Sequence, residues 1–126
     1  MNSSIPLYLA ALMAMAILVV GCIYVIAPER MTGSFGLKPP APDPDTRAWL
    51  RLKGMRDITS GFLVFTLMLT TDKHTVGIAL LVLAITPLGD MSNVLASRGS
   101  KSTAFSVHGV TCAVMLVVGL FLIHVI

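Results

Sequence analysis

The feature that most limits what this chain can fold into is an apolar run without a single charge at residues 6–27. At about 1.5 Å per helical residue, a run of this length can cross a hydrocarbon core about 30 Å thick. Hydrophobic residues make up 56% of the 126 positions and charged residues only 12%, which is too apolar for an ordinary soluble domain. We therefore expect a multi-pass integral membrane protein.

Four stretches of membrane-spanning length can be marked, and little chain remains for a soluble domain. The sequence predicts one all-α domain, a four-helix transmembrane bundle over residues 1–126, with helices at about 6–27, 48–70, 76–96 and 103–126. A proline-rich loop at 28–47 joins the first two helices. Pro87 should kink the third helix and leave the carbonyl of Leu83 without its helical partner.

Positive charge is distributed unevenly between the predicted loops. Eight of the nine Lys and Arg residues lie between the first two helices, at the start of the second, or in the last loop, and only Lys73 lies in the middle turn. Because positive residues favour the cytoplasmic side, we expect the loops at 28–47 and 97–102 to be cytoplasmic and both chain ends to lie opposite. The positive residues follow membrane ends, so no nucleic-acid partner is expected.

The cysteines suggest no redox or metal chemistry. Cys22 and Cys112 lie in apolar segments, neither belongs to a Cys-x-x-Cys pair, and no structural metal or cofactor is indicated. Both are predicted to be small buried residues, since free cysteine is among the most buried residue types. Residues 18–22 look like a lipoprotein processing site, but no Lys or Arg precedes the apolar run, so we interpret the segment as an anchor.

An Arg-Asp pair interrupts the apolar pattern of the second helix. Gly54-Met55-Arg56-Asp57 leads into residues 58–69, which carry no further charge. A charged side chain at the centre of a membrane helix costs roughly 2.5–3.5 kcal/mol on insertion scales, so Arg56 and Asp57 require compensating partners. Gly54 and Gly61, seven residues apart, fall on one face and would let another helix approach closely.

Other polar residues lie at a similar depth in the apolar helices. Asp90 is about five residues before the end of the third helix and His108 about five residues after the start of the fourth, roughly 7–12 Å inside by helical rise. Side chains at one depth of a bundle can converge in its core. The candidate catalytic residues are Arg56, Asp57, Asp90 and His108, and the candidate substrate contacts are Trp49, Ser60, Asn93 and Thr111. The alternative is that these groups form buried pairs that only fix helix register.

Several short motifs support a family resemblance. Pro28-Glu29, Phe35-Gly36-Leu37, Gly54-x-Arg56-Asp57, Pro87-Leu88-Gly89-Asp90 and His108 resemble those of small four-helix membrane proteins described as a domain of unknown function, which are distantly similar to DoxX-like proteins. The resemblance covers nearly the whole chain and implies the fold without an established activity. Members of this family in natural-product clusters would suit a tailoring enzyme, which is an argument by analogy.

Two carboxylates, an arginine and a histidine in a low-dielectric pocket can provide a proton donor and a base side by side. An Asp-Arg-Asp arrangement is similar to the limonene-epoxide hydrolase type, in which one carboxylate activates water and the other protonates the epoxide oxygen. Asp57 or Asp90 could take either role, with His108 as base or orienting partner. We therefore expect a small membrane enzyme that hydrolyses, cyclises or isomerises a lipophilic small molecule entering from the bilayer.

Two non-enzymatic functions stay open. Four short helices also resemble small multidrug exporters, but those proteins carry an acidic residue in the first helix, and residues 7–27 contain none. A non-catalytic membrane accessory subunit would instead show an exposed face of small residues and a dry polar core. The glycines of the apolar segments would permit tight packing within the chain or in a homo-oligomer.

Overall fold

A computed structural model describes residues 4–124, and the regular structure within this range is entirely helical. The elements are α1 (Ser4–Ile26), α2 (Glu29–Thr32), α3 (Pro44–Thr70), α4 (Lys73–Leu83), α5 (Ile85–Ala96), α6 (Lys101–Thr103), a π-helical segment (Ala104–Gly109) and α7 (Val110–Leu122). The all-α prediction is therefore confirmed. The predicted last helix extends to residue 126, and positions 125–126 lie outside the described residues.

Within residues 4–124, three helical stretches are long and apolar enough to cross a membrane. They are Ser4–Ile26, Lys73–Ala96, which combines α4 and α5, and Lys101–Leu122, which combines α6, the π-helical segment and α7. α3 is 27 residues long, but its first half is too charged to meet the same criterion. The chain is thus a membrane protein whose described residues include three membrane-length apolar helices, and a fourth crossing by α3 stays a prediction.

α3 begins at Pro44, earlier than the predicted start at about residue 48. Proline is well suited to the first helical position, because the N–H that it lacks would have no helical partner there. Asp43 caps the helix by accepting hydrogen bonds from the backbone N–H of Thr46 at 2.8 Å and from its hydroxyl at 2.9 Å. These bonds hold the pKa of the exposed Asp43 carboxyl below its ordinary value.

The apolar stretch Lys73–Ala96 is interrupted near its middle. α4 ends at Leu83, Ala84 separates the two helices, and α5 begins at Ile85. Pro87 follows three residues after Ala84 and cannot donate a hydrogen bond to the carbonyl of Leu83, which accounts for the interruption. At the other end of α4, Asp72 accepts a hydrogen bond from the backbone N–H of Thr75 at 3.0 Å and caps the helix.

α1 and α3 pack closely because glycines line their contact. A Cβ atom on Gly54 would lie 2.7 Å from the carbonyl oxygen of Gly21, and one on Gly61 would lie 2.8 Å from the carbonyl oxygen of Ala14. These distances leave no room for a side chain larger than hydrogen. The prediction that Gly54 and Gly61 allow a neighbouring helix to approach is therefore confirmed.

The helices form two packed hairpins, α1 with α3 and α4 with α7, while α5 packs against the π-helical segment. An apolar core fills one end of the molecule, and its buried members are Ala10, Ala14, Val64, Val76, Leu80, Val118 and Leu122. The loop after α2 reaches the other end, where the N–H of Ser100 donates to the carbonyl of Gly36 at 2.7 Å. This end also holds the polar side chains of the candidate site.

Candidate functional site

The buried carboxylate of Asp57 is paired with Lys53, which lies one helical turn earlier on α3. Lys53 Nζ lies 2.6 Å from Asp57 Oδ2, and Asp57 is only 8% exposed. The same ammonium lies 4.5 Å from the ring centroid of Tyr24 and 5.4 Å from that of Phe35, within the range of cation–π attraction. The partner that Asp57 requires thus comes from its own helix.

His108 is held in one orientation by the loop that follows α2. Its Nε2 lies 2.8 Å from the carbonyl oxygen of Phe35, and the two rings pack with centroids 4.6 Å apart. Because a carbonyl oxygen can only accept, Nε2 carries the hydrogen of this bond. The other ring nitrogen, Nδ1, faces Asp90 with 3.9 Å between Nδ1 and Oδ2. His108 is buried and belongs to the π-helical segment, an irregularity often found at functional sites.

Five side chains from four helical elements meet at this end of the molecule, and we call them the polar cluster. Its members are Tyr24, Lys53, Asp57, Asp90 and His108. Lys53 acts electrostatically on Asp90 as well as on Asp57, and both carboxylates act on Tyr24. The side chains of Lys53 and Asp90 are 30% and 32% exposed, so the cluster reaches the surface there.

The formal charges of the polar cluster do not cancel within the cluster. Lys53 contributes +1, Asp57 and Asp90 contribute −1 each, and His108 is neutral when only Nε2 carries a hydrogen, which gives −1 in total. A largely buried cluster favours a net charge of zero, since an unpaired charge away from water is costly. Asp90 carries the charge that Lys53 does not neutralise, and its side chain is 32% exposed, so water reaches it there.

Arg56 does not join the polar cluster, and the prediction that it converges with Asp57, Asp90 and His108 in the core of the bundle is wrong. It is exposed and lines a shallow groove on the outer face of α3 together with Met55, Thr59 and Ser60. With 3.6 residues per turn, neighbours on a helix point about 100° apart, so Arg56 and Asp57 cannot both point into the bundle. The structure places Asp57 inside and Arg56 outside.

The four predicted substrate contacts also lie away from the polar cluster. Trp49 is 71% exposed, and Asn93 and Thr111 are exposed as well. Ser60 is half-buried, and its hydroxyl donates to the carbonyl of Arg56 on its own helix. Thr111 likewise donates to the carbonyl of Val107. Such i−4 hydrogen bonds are the default for hydroxyls within helices and give no sign of a shared site.

Sequence reasoning missed two members of the polar cluster, Tyr24 and Lys53. Lys53 was counted only among the positive residues at the start of the second helix, although its spacing of four residues from Asp57 is the spacing of a helical ion pair. Tyr24 is buried in the last turn of α1, at the depth of Gly54. An aromatic residue with a hydroxyl group at this end of the first apolar run was the second signal in the sequence.

One of the two cysteine predictions is wrong. Cys112 is buried, as expected, but Cys22 is exposed on the outer face of α1. The adjacent Gly21 takes the position that faces α3, which turns Cys22 away from the core. Within residues 4–124, no group of three or more His, Cys, Asp or Glu side chains is arranged to hold a metal ion.

Replacing Gly36 by alanine should release His108 from the loop. Gly36 has a φ of +100°, and an added Cβ would lie 3.0 Å from the Cβ of Thr103. Because other residues are strained at such an angle, we expect a loss of about 1–3 kcal/mol and a displaced Phe35 carbonyl. Thermal unfolding in detergent and the ¹⁵N shifts of the His108 ring measure the two effects.

Gly33 provides the matched control for this substitution. It has a φ of −71°, and a Cβ there would have no neighbour within 4 Å. Gly33→Ala should therefore change neither stability nor the His108 signals appreciably. Equal effects of Gly33→Ala and Gly36→Ala would contradict the assignment of Phe35 and Gly36 as the support of His108.

Comparison with known proteins gives one match. The model of a family described as Domain of unknown function (DUF4267) matches residues 14–122. This range includes every member of the polar cluster and extends to the last residue of α7. No curated protein and no solved structure matches the chain.

Proposed function

We propose that this chain, which belongs to the family described as Domain of unknown function (DUF4267), is a small integral membrane enzyme for acid-base chemistry on a lipophilic molecule. The candidate reactions are epoxide hydrolysis, epoxide cyclisation and double-bond isomerisation, each of which requires a proton to be delivered and another removed. The observation that carries the proposal is the pair of the buried His108 and the half-buried Asp90, whose facing atoms lie 3.9 Å apart.

Only one of the two ring nitrogens of His108 faces Asp90. Nε2 of His108 is engaged by the Phe35 carbonyl, so Nδ1 is the ring position at which a proton can be taken up or released. Asp90 Oδ2 faces Nδ1 at 3.9 Å, which is longer than a hydrogen bond, and Asp90 is half-buried beside the opening of the cluster. A substrate at this opening would meet the exposed part of Asp90 first, with His108 beneath it as the acid-base partner.

The position of the cation changes the expected mechanism. Lys53, not Arg56, acts on both Asp57 and Asp90. An ammonium is a compact point charge, whereas a guanidinium can bind two carboxylates through a planar fork. The comparison with limonene-epoxide hydrolases rests on that fork, so the geometry favours a general acid-base role for the His108–Asp90 pair over a close copy of the Asp-Arg-Asp mechanism.

The accessory-subunit alternative finds less support in the packing. It predicts a face of small residues left open for a partner, but Gly21, Gly54 and Gly61 are occupied by the contact between α1 and α3. Gly77 and Gly119 are similarly occupied by the contact between α4 and α7. The exposed parts of Lys53 and Asp90 also differ from the dry polar core that this alternative requires.

We also propose which side of the membrane each loop faces. If the positive-inside bias sets it, the loops at 28–47 and 97–102 face the cytoplasm, and both chain ends lie on the other side. The polar cluster then opens near the cytoplasmic leaflet, where a lipophilic substrate can enter laterally from the bilayer. Cysteine labelling from either side of sealed vesicles would test this orientation independently of any activity.

The catalytic proposal is tested with Asp90→Asn and His108→Gln proteins in lipid vesicles, supplied with a panel of lipophilic epoxides and unconjugated alkenes. For any compound that the parent protein converts, each variant should be slower by about 10²–10⁴-fold, the usual contribution of general acid-base groups. Asn93→Ala is the matched control, because Asn93 is exposed on the same helix as Asp90. Folded variants that convert the compound at the parent rate would overturn the proposal.

A further inference from the structure

A groove with apolar walls follows the outer surface between α1 and α3. Its lining includes Met15, Val19, Cys22 and Ile26 from α1 and Phe62 from α3, and Arg30 closes one end. The groove is separate from the polar cluster, since these side chains point outward while Tyr24 and Asp57 point into the bundle. The molecule that binds in this groove must therefore reach it from outside the bundle, at the lipid-facing surface of the protein.

The length of the groove fits one leaflet of a bilayer. From Met15 to Ala27 the helix rises about 18 Å, at about 1.5 Å per residue. Half of a hydrocarbon core is about 15 Å thick. An acyl chain that starts at the membrane surface and ends near the midplane would thus occupy the groove over its whole length.

The arginine at the end of the groove favours an occupant with a negative charge. Arg30 is exposed, and none of the ion pairs within the described residues includes it. The neighbouring acid Glu29 is instead paired with Arg47 at 3.1 Å. Nearby, Arg51 Nε donates to the carbonyl of Val25 at 3.2 Å, which keeps a second guanidinium at this end of α1. Guanidinium groups bind phosphate oxygens through paired hydrogen bonds.

We propose that this groove is a binding site for an anionic phospholipid, with one acyl chain along α1 and the phosphate group at Arg30. Apolar walls of leaflet length and a cation at the surface end together match an acyl chain attached to a negative headgroup. Anionic lipids concentrate in the cytoplasmic leaflet, which is the side assigned to Arg30 by the positive-inside bias. The site is independent of the proposed catalysis.

Native mass spectrometry of the purified full chain in detergent tests this site. Phosphatidylglycerol and phosphatidylcholine with identical acyl chains are titrated separately, and inorganic phosphate serves as a probe without an acyl chain. We expect about fivefold tighter binding of phosphatidylglycerol, the usual effect of one positive residue near a membrane surface, and no effect of inorganic phosphate. Arg30→Gln should remove this preference.

Two further variants separate the headgroup from the acyl chain. Arg98→Gln is the matched control, because Arg98 is an exposed arginine in the other positively charged loop, and it should keep the phosphatidylglycerol preference. Val19→Trp fills the groove and should weaken both lipids equally while thermal unfolding reports that the protein is folded. Equal binding of the two lipids by the parent, or equal effects of Arg30→Gln and Arg98→Gln, would overturn the proposal.

Discussion

Replacing Lys53 by methionine is expected to destabilise the folded protein by about 3 kcal/mol, because Asp57 would remain buried without its cation. Breaking a buried ion pair from one side typically costs about 3–5 kcal/mol. The lower end applies because the Lys53 side chain is 30% exposed and water can reach the pair. Equilibrium unfolding in mixed detergent micelles measures the loss.

The double variant Lys53→Met with Asp57→Leu isolates the cause of that loss. It removes both charges, so most of the stability should return, as found when buried ion pairs are replaced by apolar residues of similar volume. Arg56→Met is the control, and a change within about 0.5 kcal/mol is expected there because Arg56 is exposed. If Lys53→Met were as mild as Arg56→Met, the pairing of Lys53 with Asp57 would not be important for stability.

Gly54→Ala is expected to force α1 and α3 apart. Its Cβ would lie 2.7 Å from the Gly21 carbonyl oxygen and 2.8 Å from the Tyr24 Cβ, and neither atom can move without its backbone. Overpacking of this kind costs about 1–3 kcal/mol or more. Because Gly54 adjoins Lys53 and contacts Tyr24, the substitution should also lower any activity of the polar cluster. Thermal unfolding and turnover measure the two losses.

Gly89→Ala gives the opposite expectation and serves as the comparison. Gly89 lies within α5, and a Cβ there would have no neighbour within 4 Å. Alanine in a helix interior is favoured over glycine by about 0.5–1 kcal/mol, so this variant should be slightly more stable than the parent. The close-packing assignment at Gly54 would be wrong if the two alanine variants shifted the melting temperature in the same direction.

The depth of the polar residues could be predicted from the sequence, but their direction could not. Counting residues from the helix ends placed Asp57, Asp90 and His108 at one level, and the structure brings them to one cluster. In a soluble helix the apolar stripe also reveals which side faces the core. In a membrane both sides of a helix are apolar. No hydrophobic pattern in the sequence therefore indicated that α3 places Asp57 inside and Arg56 outside.

The support of His108 could not be predicted for a different reason. It depends on a contact with Phe35 across 73 positions of the chain. The loop reaches this place through the left-handed backbone of Gly36 and the hydrogen bond from Ser100. The sequence showed a turn-rich segment here, yet the path of a loop depends on the surfaces it meets.

The division of the polar cluster between the two hairpins has a consequence for how the protein is made. The first hairpin carries Tyr24, Lys53 and Asp57, and the chain after residue 72 carries Asp90 and His108. Membrane helices can insert separately and associate afterwards, so neither hairpin has the complete polar cluster, with His108 held by Phe35, when it enters the bilayer. Only the docking of one hairpin against the other assembles it. The role proposed for His108 and Asp90 would thus depend on the first hairpin, because Phe35 from that hairpin orients the His108 ring.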